Sequence, residues 1–175
     1  MKIAIDARFL GPSGKGIGRY LEKLIAHLEK IDSINQYFII LQKNNFELYQ
    51  PTNKKFQKIL INYPWYSWQE QILMPLKLKK YQLDLIHFPH FNVPIFLKNK
   101  FVITIHDLTL LDWPTKKNNW TKYFYWLKDR LFKIILRQAL NQSEKIITDS
   151  VFTKNELIKK FNLPTDKIEV VNLGS

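Results

Sequence analysis

Apolar and polar residues come in alternating blocks along the chain, and the blocks predict strands and helices in turn. Short apolar runs between polar residues predict buried strands, and apolar residues three and four positions apart predict amphipathic helices. The predicted strands are residues 2–7, 37–41, 58–61, 83–88, 101–105, 145–148 and 168–171. The predicted helices are residues 17–31, a segment that begins near Ser67, residues 119–141 and a segment that begins near Thr153.

Two of the predicted helix starts have the spacing of a capping box. Ser67 precedes Glu70 by three positions, and Thr153 precedes Glu156 by three positions. In this arrangement the Ser or Thr hydroxyl accepts a hydrogen bond from the backbone N–H of the residue three positions later. Pro75 is expected to kink or interrupt the first of these helices.

The order of the predicted elements indicates the fold class. Strands and helices alternate from one end of the chain to the other, and the strands are apolar throughout. This pattern is typical of a parallel sheet covered by helices on both faces. We therefore predict an α/β fold, one Rossmann-like, doubly wound domain with a mostly parallel sheet over residues 1–175. The polar segment 42–57 is predicted to be its most mobile loop.

Composition agrees with a globular protein. Of the residues 46% are apolar, which is enough for a core. No segment approaches the roughly 20 apolar residues that a membrane span requires. The first residues run straight into a strand pattern without the features of a signal peptide. On these grounds we expect a cytoplasmic protein.

The net charge of +12 raises the question of an anionic partner. Lysines spread through every segment, whereas nucleic-acid-binding modules concentrate basic residues and aromatics on one face, so we expect no nucleic-acid partner. Lysine-rich solvated surfaces explain the charge equally well. Aromatic residues are dense in 113–126, beside Lys116, Lys117 and Lys122, which suits either a packed core or a peripheral contact with a membrane.

Polar residues follow several predicted strands, at the edge where parallel sheets bind ligands, and we expect them to converge there. His106 and Asp107 follow the fifth strand. His106 can donate a hydrogen bond to a substrate hydroxyl or assist proton transfer, and Asp107 can orient it or cap a turn. His90 lies on a loop, where a structural and a binding role are both open. Ser150 either binds an anion or caps the next helix.

A glycine-rich segment joins the first strand to the first helix. Gly14, Gly16 and Gly18 let the backbone approach an anion closely before a helix N-terminus, whose N–H groups favour phosphate. The segment is neither a full dinucleotide fingerprint nor a Walker sequence. A tight turn with close packing of helix on strand explains the same glycines, so both interpretations stay open.

Motifs of several other chemistries are absent from the sequence. There is no Asp-x-Asp pair, no Gly-x-Ser-x-Gly nucleophile elbow and no His/carboxylate cluster with zinc spacing. The chain has no cysteine, which excludes disulfides and thiolate metal sites. These absences argue against a metal clamp for a sugar nucleotide and against serine hydrolase chemistry.

Taken in order, the segments of this chain resemble the N-terminal domain of family 4 glycosyltransferases, the retaining enzymes of GT-B architecture. The resemblance covers nearly all of the chain. The segments that carry it are Ile5-Asp6-Ala7-Arg8, Ser13-Gly14-Lys15-Gly16-Ile17-Gly18-Arg19-Tyr20, Trp68-Gln69-Glu70-Gln71, Leu73-Met74-Pro75, Asp84-Leu85-Ile86-His87-Phe88-Pro89-His90-Phe91, Thr104-Ile105-His106-Asp107-Leu108, Thr148-Asp149-Ser150-Val151-Phe152-Thr153 and Val170-Val171-Asn172-Leu173-Gly174.

The resemblance implies roles for the candidate residues. The glycine segment would approach the diphosphate of a nucleotide-sugar donor. His106 would contact the donor sugar beside the reacting carbon, with Asp107 as the second catalytic candidate. The resemblance further implies transfer of a hexose, with mannose as one candidate, to a glycan or lipid-linked acceptor, with no metal and no other cofactor. The residues expected to bind the acceptor are Arg19, His90, Asn92 and Ser150.

Family 4 enzymes have a second Rossmann-like domain that binds most of the nucleotide and carries a Glu-x7-Glu motif, and no two glutamates here are eight positions apart. We therefore expect the chain to be the acceptor-side domain alone, inactive without a C-terminal GT-B domain or a partner subunit. The alternative is a stand-alone module that binds a nucleotide or a glycan, or a non-catalytic subunit of a split glycosyltransferase.

Overall fold

The computed structural model describes residues 1–108 and 122–172, with residues 122–129 described by their helical backbone only. Contacts within the chain define two compact units. Unit 1 comprises Met1–Pro89 and Phe96–Phe101, and unit 2 comprises His90–Ile95 and the described residues from Val102 onwards.

Four parallel strands form the sheet of unit 1. They are β1 (Lys2–Asp6), β2 (Gln36–Leu41), β3 (Phe56–Leu60) and β4 (Leu85–Phe88). Their order is β3-β2-β1-β4, and every pair of neighbours is parallel. From β1 the chain continues to β2 and β3 on one side of β1 and then to β4 on the other side, so the order of the strands reverses at β1. In sheets of this kind the carboxyl ends of the strands at such a switch point bind ligands.

Helices cover both faces of this sheet. The first helix, α1 (Lys15–Ile31), buries Leu21 and Ile25 against residues of β1 and β2 that point to the same face. Residues of β2 alternate between the two faces, as period-2 geometry requires. On the other face, Phe38 contacts the ring of Tyr81, just after the second helix, with ring centroids 5.4 Å apart.

The second helix, α2 (Trp68–Lys79), begins where the sequence predicts. The Ser67 hydroxyl accepts a hydrogen bond from the backbone N–H of Glu70 at 3.2 Å, as in a capping box. Pro75 lies inside the helix, which continues to Lys79, so of the two expected effects, a kink or an interruption, the interruption does not occur. The buried face of α2 includes Glu70, which no apolar pattern predicts.

The reason for this burial is an ionic cluster at the carboxyl end of β1. The Arg8 guanidinium, itself buried, donates to Asp6 Oδ2 through Nη2 and to Glu70 Oε1 through Nη1, both at 2.7 Å. The ring of Trp65 lies against the guanidinium, 4.0 Å from Cζ to the ring centroid. Glu70 also accepts from the Tyr66 backbone N–H at 2.6 Å. The cluster therefore ties the start of α2 and the loop before it to β1.

Charge balance explains why these groups tolerate burial. Burial lowers the pKa of Arg8, but the two carboxylates more than offset this effect and hold the pKa above its ordinary value. Arg8 therefore stays charged inside the protein. A buried guanidinium requires its partners, because a buried charge left unpaired is far more costly than the pair.

Segment 42–57, expected to be a mobile loop, is packed against the interior near its beginning. Asn45 is buried, and its Nδ2 donates to the carbonyl oxygens of Ala7, Arg8 and Leu10 at 3.0, 3.2 and 3.0 Å. Those carbonyls lie in the connection from β1 to α1 and need a donor when buried. This polar side chain therefore provides a donor for buried backbone carbonyls, a role that its polarity alone does not predict.

Unit 2 contains three strands in the order β5-β6-β7, with parallel neighbours. They are β5 (Phe101–Ile105, with Phe101 itself in unit 1), β6 (Lys145–Thr148) and β7 (Ile168–Val170). Two helices accompany them, α3 (Lys122–Gln142) and α4 (Val151–Phe161). The buried residues include Leu136, Ala139, Leu140, Ile103, Ile146 and Leu157.

The start of α4 lies three residues before the predicted one. Ser150, not Thr153, is the N-cap, and its hydroxyl accepts from the Thr153 backbone N–H at 3.2 Å. Because β6 ends at Thr148, the chain turns into the helix at once, and Thr153 is already inside the first turn.

The predicted fold class is confirmed. Seven parallel strands and four helices among the described residues make a Rossmann-like α/β fold. That residues 1–175 form one domain stays a prediction. The aromatic segment 113–126 and its lysines lie outside the side chains that the structure describes. No helix described here combines the length and the apolar character needed to cross a membrane.

The ionic cluster yields a stability prediction. Glu70→Gln removes one of the two carboxylates of buried Arg8, so we expect a loss of about 3–5 kcal/mol in the free energy of unfolding. The matched control is Glu169→Gln, which breaks an exposed ion pair with Lys145 at 3.0 Å and is expected to cost at most about 1 kcal/mol. Urea unfolding measures both. Equal losses for the two variants would contradict this account of the cluster.

Candidate functional site

The glycine segment leads from β1 into α1, as the sequence predicts. A short 3-10 turn (Pro12–Gly14) precedes the helix, and Gly14 occupies the N-cap position. No side chain caps the first turn of α1, and the first turn contains no acidic residue. A helix N-terminus of this kind favours an anion, because its first N–H groups lack intrahelical acceptors.

The three glycines differ in what a side chain would meet. A Cβ on Gly14 would lie 1.7 Å from the carbonyl oxygen of Phe9, and one on Gly18 would lie 2.4 Å from that of Gly11. Both glycines are therefore required for close packing of α1 on the preceding loop. Gly16 is exposed, and a Cβ there would meet nothing within 4 Å. Packing thus explains Gly14 and Gly18 but not Gly16.

Arg19, predicted to bind the acceptor, is exposed on α1 one residue after Gly18. Its predicted role and that of the glycines stay predictions.

Residues 90–95 of unit 2 form a loop held by α3. The Phe91 ring meets that of Phe132 edge-on, with centroids 4.9 Å apart, and Gln138 Nε2 donates to the Ile95 carbonyl at 2.8 Å. The Asn92 backbone N–H donates to Nδ1 of His90 at 3.2 Å. Because Nδ1 accepts, the neutral His90 ring carries its proton on Nε2.

The Asn92 side chain is buried. His90 is half-buried, and its ring lies on that of Phe91, with centroids 3.8 Å apart. The structure therefore brings His90 and Asn92 together through the backbone of one short loop. Their predicted contact with an acceptor stays a prediction.

The best-defined polar pair of unit 2 is His106 with Asp149. His106 Nδ1 lies 2.7 Å from Asp149 Oδ2, and the two side chains are 18% and 20% exposed. The sequence offered Asp107 as the group that orients His106. The carboxylate on Nδ1 is instead that of Asp149, whereas Asp107 is exposed directly after His106. A histidine held by a carboxylate is a common arrangement for proton transfer and for hydrogen bonding to substrate.

Ser150, the other candidate of this edge, is the N-cap of α4. Its Oγ also lies 3.1 Å from Thr153 Oγ1. The capping alternative is therefore the one that the structure shows. A contact between Ser150 and the acceptor stays a prediction.

Sequence reasoning gave no role to Asp149, and it missed the cluster of Asp6, Arg8 and Glu70. A signal for Asp149 existed, since Asp149 and His106 each come directly after an apolar strand. The pairing of those two strands was not predicted, and that pairing decides which polar residues become neighbours.

No three histidine or acidic side chains in the described residues converge as metal ligands would. The expectation that the protein needs no metal and no other cofactor stays a prediction. A groove of about 560 Å³ lies at the amino edge of the unit 1 sheet, lined in part by Lys2, Gln36 and Asp84. It lies at the edge opposite to the carboxyl ends of the strands, where parallel sheets bind ligands, so we do not assign the site to it.

The contrast among the glycines gives a testable prediction. Gly18→Ala forces a methyl group into backbone atoms and is expected to lower the free energy of unfolding by about 1–3 kcal/mol. Gly16→Ala occupies open space in a helix, where alanine is favoured, and is expected to raise it by up to about 1 kcal/mol. Thermal or urea unfolding of both variants measures the contrast. A Gly16→Ala variant as unstable as Gly18→Ala would refute the packing argument.

Two comparisons with known proteins agree with this picture. The sequence model of Glycosyltransferase Family 4 matches residues 14–174. O-antigen chain mannosyltransferase B of Escherichia coli is 30% identical over 99 residues, which cover 55% of this chain and 23% of that protein. O-antigen chain mannosyltransferase RfbU of Salmonella typhimurium LT2 is 21% identical over 174 residues, which cover 93% of this chain and 46% of that protein.

The chain thus spans less than half of the length of each of these curated relatives. The family match, in contrast, extends over nearly the whole chain and includes both the glycine segment and the His106–Asp149 pair. On this ground, and on its parallel α/β fold, the chain belongs to glycosyltransferase family 4.

Proposed function

We propose that the chain is the acceptor-side domain of a retaining glycosyltransferase. The enzyme transfers a hexose, with mannose as the first candidate, from a nucleotide sugar to a glycan or lipid-linked acceptor. The observation that carries the proposal is the His106–Asp149 pair at the carboxyl end of β5 and β6, in a chain matched by the family over residues 14–174. The two relatives named as mannosyltransferases support mannose.

In the proposed reaction, the bond between the anomeric carbon of the hexose and the diphosphate oxygen breaks. A bond forms between that carbon and an acceptor hydroxyl oxygen, and the hydroxyl proton passes to the departing diphosphate. His106 binds the hexose beside the reacting carbon. The uncapped N-terminus of α1, at Gly14, Gly16 and Gly18, faces the diphosphate, whose charge the helix dipole stabilises. Arg19, His90, Asn92 and Ser150 bind the acceptor.

We propose that the nucleotide is held by a C-terminal GT-B domain or by a partner subunit. The Glu-x7-Glu spacing that the family uses there does not occur in this sequence. Binding energy from the parts of a substrate that do not react helps to raise the rate of the chemical step. A chain that contacts only the hexose and the diphosphate, and not the rest of the donor, lacks most of this binding energy. The isolated chain therefore turns over its donor at a negligible rate.

The test combines the chain alone with the chain fused to the donor-binding half of a family 4 relative. We expect transfer of mannose from GDP-mannose to a glycan acceptor only in the fusion. His106→Ala in the fusion is expected to reduce kcat about 100-fold or more, because a substrate contact made in the transition state is lost. The control is His27→Ala, an exposed histidine of α1 whose Nδ1 lies 2.8 Å from the Lys23 carbonyl oxygen.

The outcomes separate the alternatives. Ordinary turnover by residues 1–175 alone would contradict the need for a second half. Unchanged turnover in the His106→Ala fusion would remove His106 from the reaction. Tight binding of a nucleotide or glycan by the chain, with no transfer by any fusion, would favour a stand-alone binding module.

We also propose a peripheral contact with an anionic membrane surface, through the outer face of α2. Trp68, Ile72 and Leu76 follow one another at four-residue spacing on this face and are 64%, 43% and 62% exposed. The inward face of the same helix buries Glu70 in the ionic cluster. The helix thus shows apolar residues to solvent while its acidic residue is inside, which is the reverse of a solvated helix. We call Trp68, Ile72 and Leu76 the α2 stripe.

The charges of the residues near the α2 stripe favour an anionic membrane surface as its partner. Between residues 61 and 83 the only acidic residue is Glu70, which is buried, and the basic residues Lys77, Lys79 and Lys80 lie at the carboxyl end of the helix. Exposed tryptophan and aliphatic residues beside lysines suit the boundary between anionic headgroups and acyl chains. A lipid-linked acceptor would be presented at such a surface.

Co-sedimentation with lipid vesicles tests this contact. We expect the chain to bind phosphatidylglycerol vesicles more strongly than phosphatidylcholine vesicles. The double change Trp68→Ser and Leu76→Ser is expected to weaken binding about tenfold or more, since two exposed apolar side chains that would insert among the lipids are lost. The control is Ile34→Ser, which changes an exposed isoleucine away from α2. Equal loss for the control, or no binding by the unchanged chain, would contradict the proposal. A dimer that the double change dissociates would assign the α2 stripe to a second copy.

A further inference from the structure

The pairing of β5 with β6 fixes which residues meet beyond the strand ends. Ile103 pairs with Ile146, Thr104 with Ile147 and Ile105 with Thr148. In a parallel pair with this register, the residues that directly follow the two strands lie side by side at the edge of the sheet. Those residues are His106 and Asp149, so the strand register itself brings the imidazole to the carboxylate.

The backbone around Asp149 is held on three sides. The Thr148 carbonyl accepts from the Val171 backbone N–H at 2.8 Å, which joins β6 to the chain after β7. The Thr148 hydroxyl donates to the Ser150 carbonyl at 3.2 Å. The Ser150 side chain caps α4. The Asp149 carboxylate is thus presented by a fixed turn, as positioning groups in binding sites require.

The carboxylate uses its two oxygens differently. Oδ2 lies 2.7 Å from His106 Nδ1, whereas Oδ1 is buried and has no hydrogen-bond partner among the residues that the structure describes. A buried carboxylate oxygen costs free energy unless it gains a partner. Asp149 is therefore poorly explained as a contributor to stability alone.

We infer that Asp149 is a positioning residue that holds His106 with its proton on Nδ1, so that Nε2 accepts a hydrogen bond from a hydroxyl group of the transferred hexose. A carboxylate can only accept, so the 2.7 Å contact assigns the donor role to Nδ1–H. In a neutral imidazole the other nitrogen is then an acceptor. This inference rests on the proposed contact between His106 and the donor sugar.

This tautomer determines which group of the donor His106 can bind. A lone pair on Nε2 attracts a hydroxyl donor and repels the oxygen atoms of a phosphate, which carry only lone pairs and negative charge. His106 therefore selects the sugar ring of the donor and not its diphosphate. The sequence had left His106 as a donor to a substrate hydroxyl, and the Asp149 contact reverses that direction.

The test is the tautomer of His106 in the intact chain, read from long-range ¹⁵N–¹H correlations of ¹⁵N-histidine-labelled protein at a pH where the ring is neutral. His106→Gln assigns the signals. We expect the Nδ1–H form in the unchanged chain and a shift to the Nε2–H form in Asp149→Asn, because the amide N–H₂ can donate to Nδ1. Glu169→Gln, which converts an exposed carboxylate of unit 2 to an amide, is the matched control and keeps the Nδ1–H form.

Asp107→Asn separates the two neighbouring carboxylates. The inference requires that this variant keep the Nδ1–H form, and a change in Asp107→Asn equal to that in Asp149→Asn would overturn it. An Nε2–H signal in the unchanged chain would overturn the inference without any variant. The inference therefore remains testable even if Asp149→Asn does not fold. In the two-domain fusion, Asp149→Asn is expected to lower kcat about tenfold or more with a smaller change in the KM of the donor.

The spectroscopic and kinetic results can fail separately. The tautomer reports on Asp149 and His106 whether or not the chain transfers a sugar. A confirmed Nδ1–H form with no transfer by the fusion would count against the proposed function and leave the positioning of the imidazole standing. Transfer that is indifferent to Asp149→Asn, with an Nε2–H ring in the unchanged chain, would overturn the role of Asp149 and leave the proposed function standing.

Discussion

The parallel pairing of strands is the constraint on which the rest of this structure depends. Parallel neighbours point their carboxyl ends to the same edge, so polar residues far apart in sequence leave the sheet side by side. The register of Ile105 with Thr148 makes neighbours of His106 and Asp149, which are 43 positions apart. Apolar residues inside the strands carry the stability, and the residue after each strand is free to carry chemistry.

The carboxyl end of β1 shows the cost of placing charge at such an edge. Arg8 is buried with two carboxylates around it, and each charge is tolerated because the others are present. The cluster also fixes the position of α2, because Glu70 belongs to this helix and accepts a hydrogen bond from the Tyr66 backbone N–H just before it. Its inward position leaves the opposite side of the helix to Trp68 and Leu76, which are exposed.

Much of the fold could be predicted from the sequence, because the strands are apolar runs that only a covered parallel sheet can bury. The bounds of β5 and β6 and the Ser67 cap follow from local pattern alone. Long-range hydrogen bonds could not be predicted in this way. Asn45 was placed in a mobile loop because polarity does not reveal three distant carbonyl acceptors.

The sequence predicts where the candidate residues lie relative to the strands, but it does not predict their contacts. The sequence identified His106 but not its partner Asp149, since the choice between two carboxylates depends on strand pairing. The glycines were found as a group, and only the packing of the Phe9 and Gly11 carbonyls distinguishes the required Gly18 from the unconstrained Gly16.

The central claim is that this chain works at the carboxyl ends of its strands, and backbone amide chemical-shift mapping of residues 1–175 tests it most directly. Titration with a mannose oligosaccharide and with GDP-mannose is expected to shift amides that follow β1, β4, β5 and β6, among them those of Gly16, His106 and Ser150. Shifts confined to the groove at Lys2 and Asp84, at the opposite edge, would contradict the account.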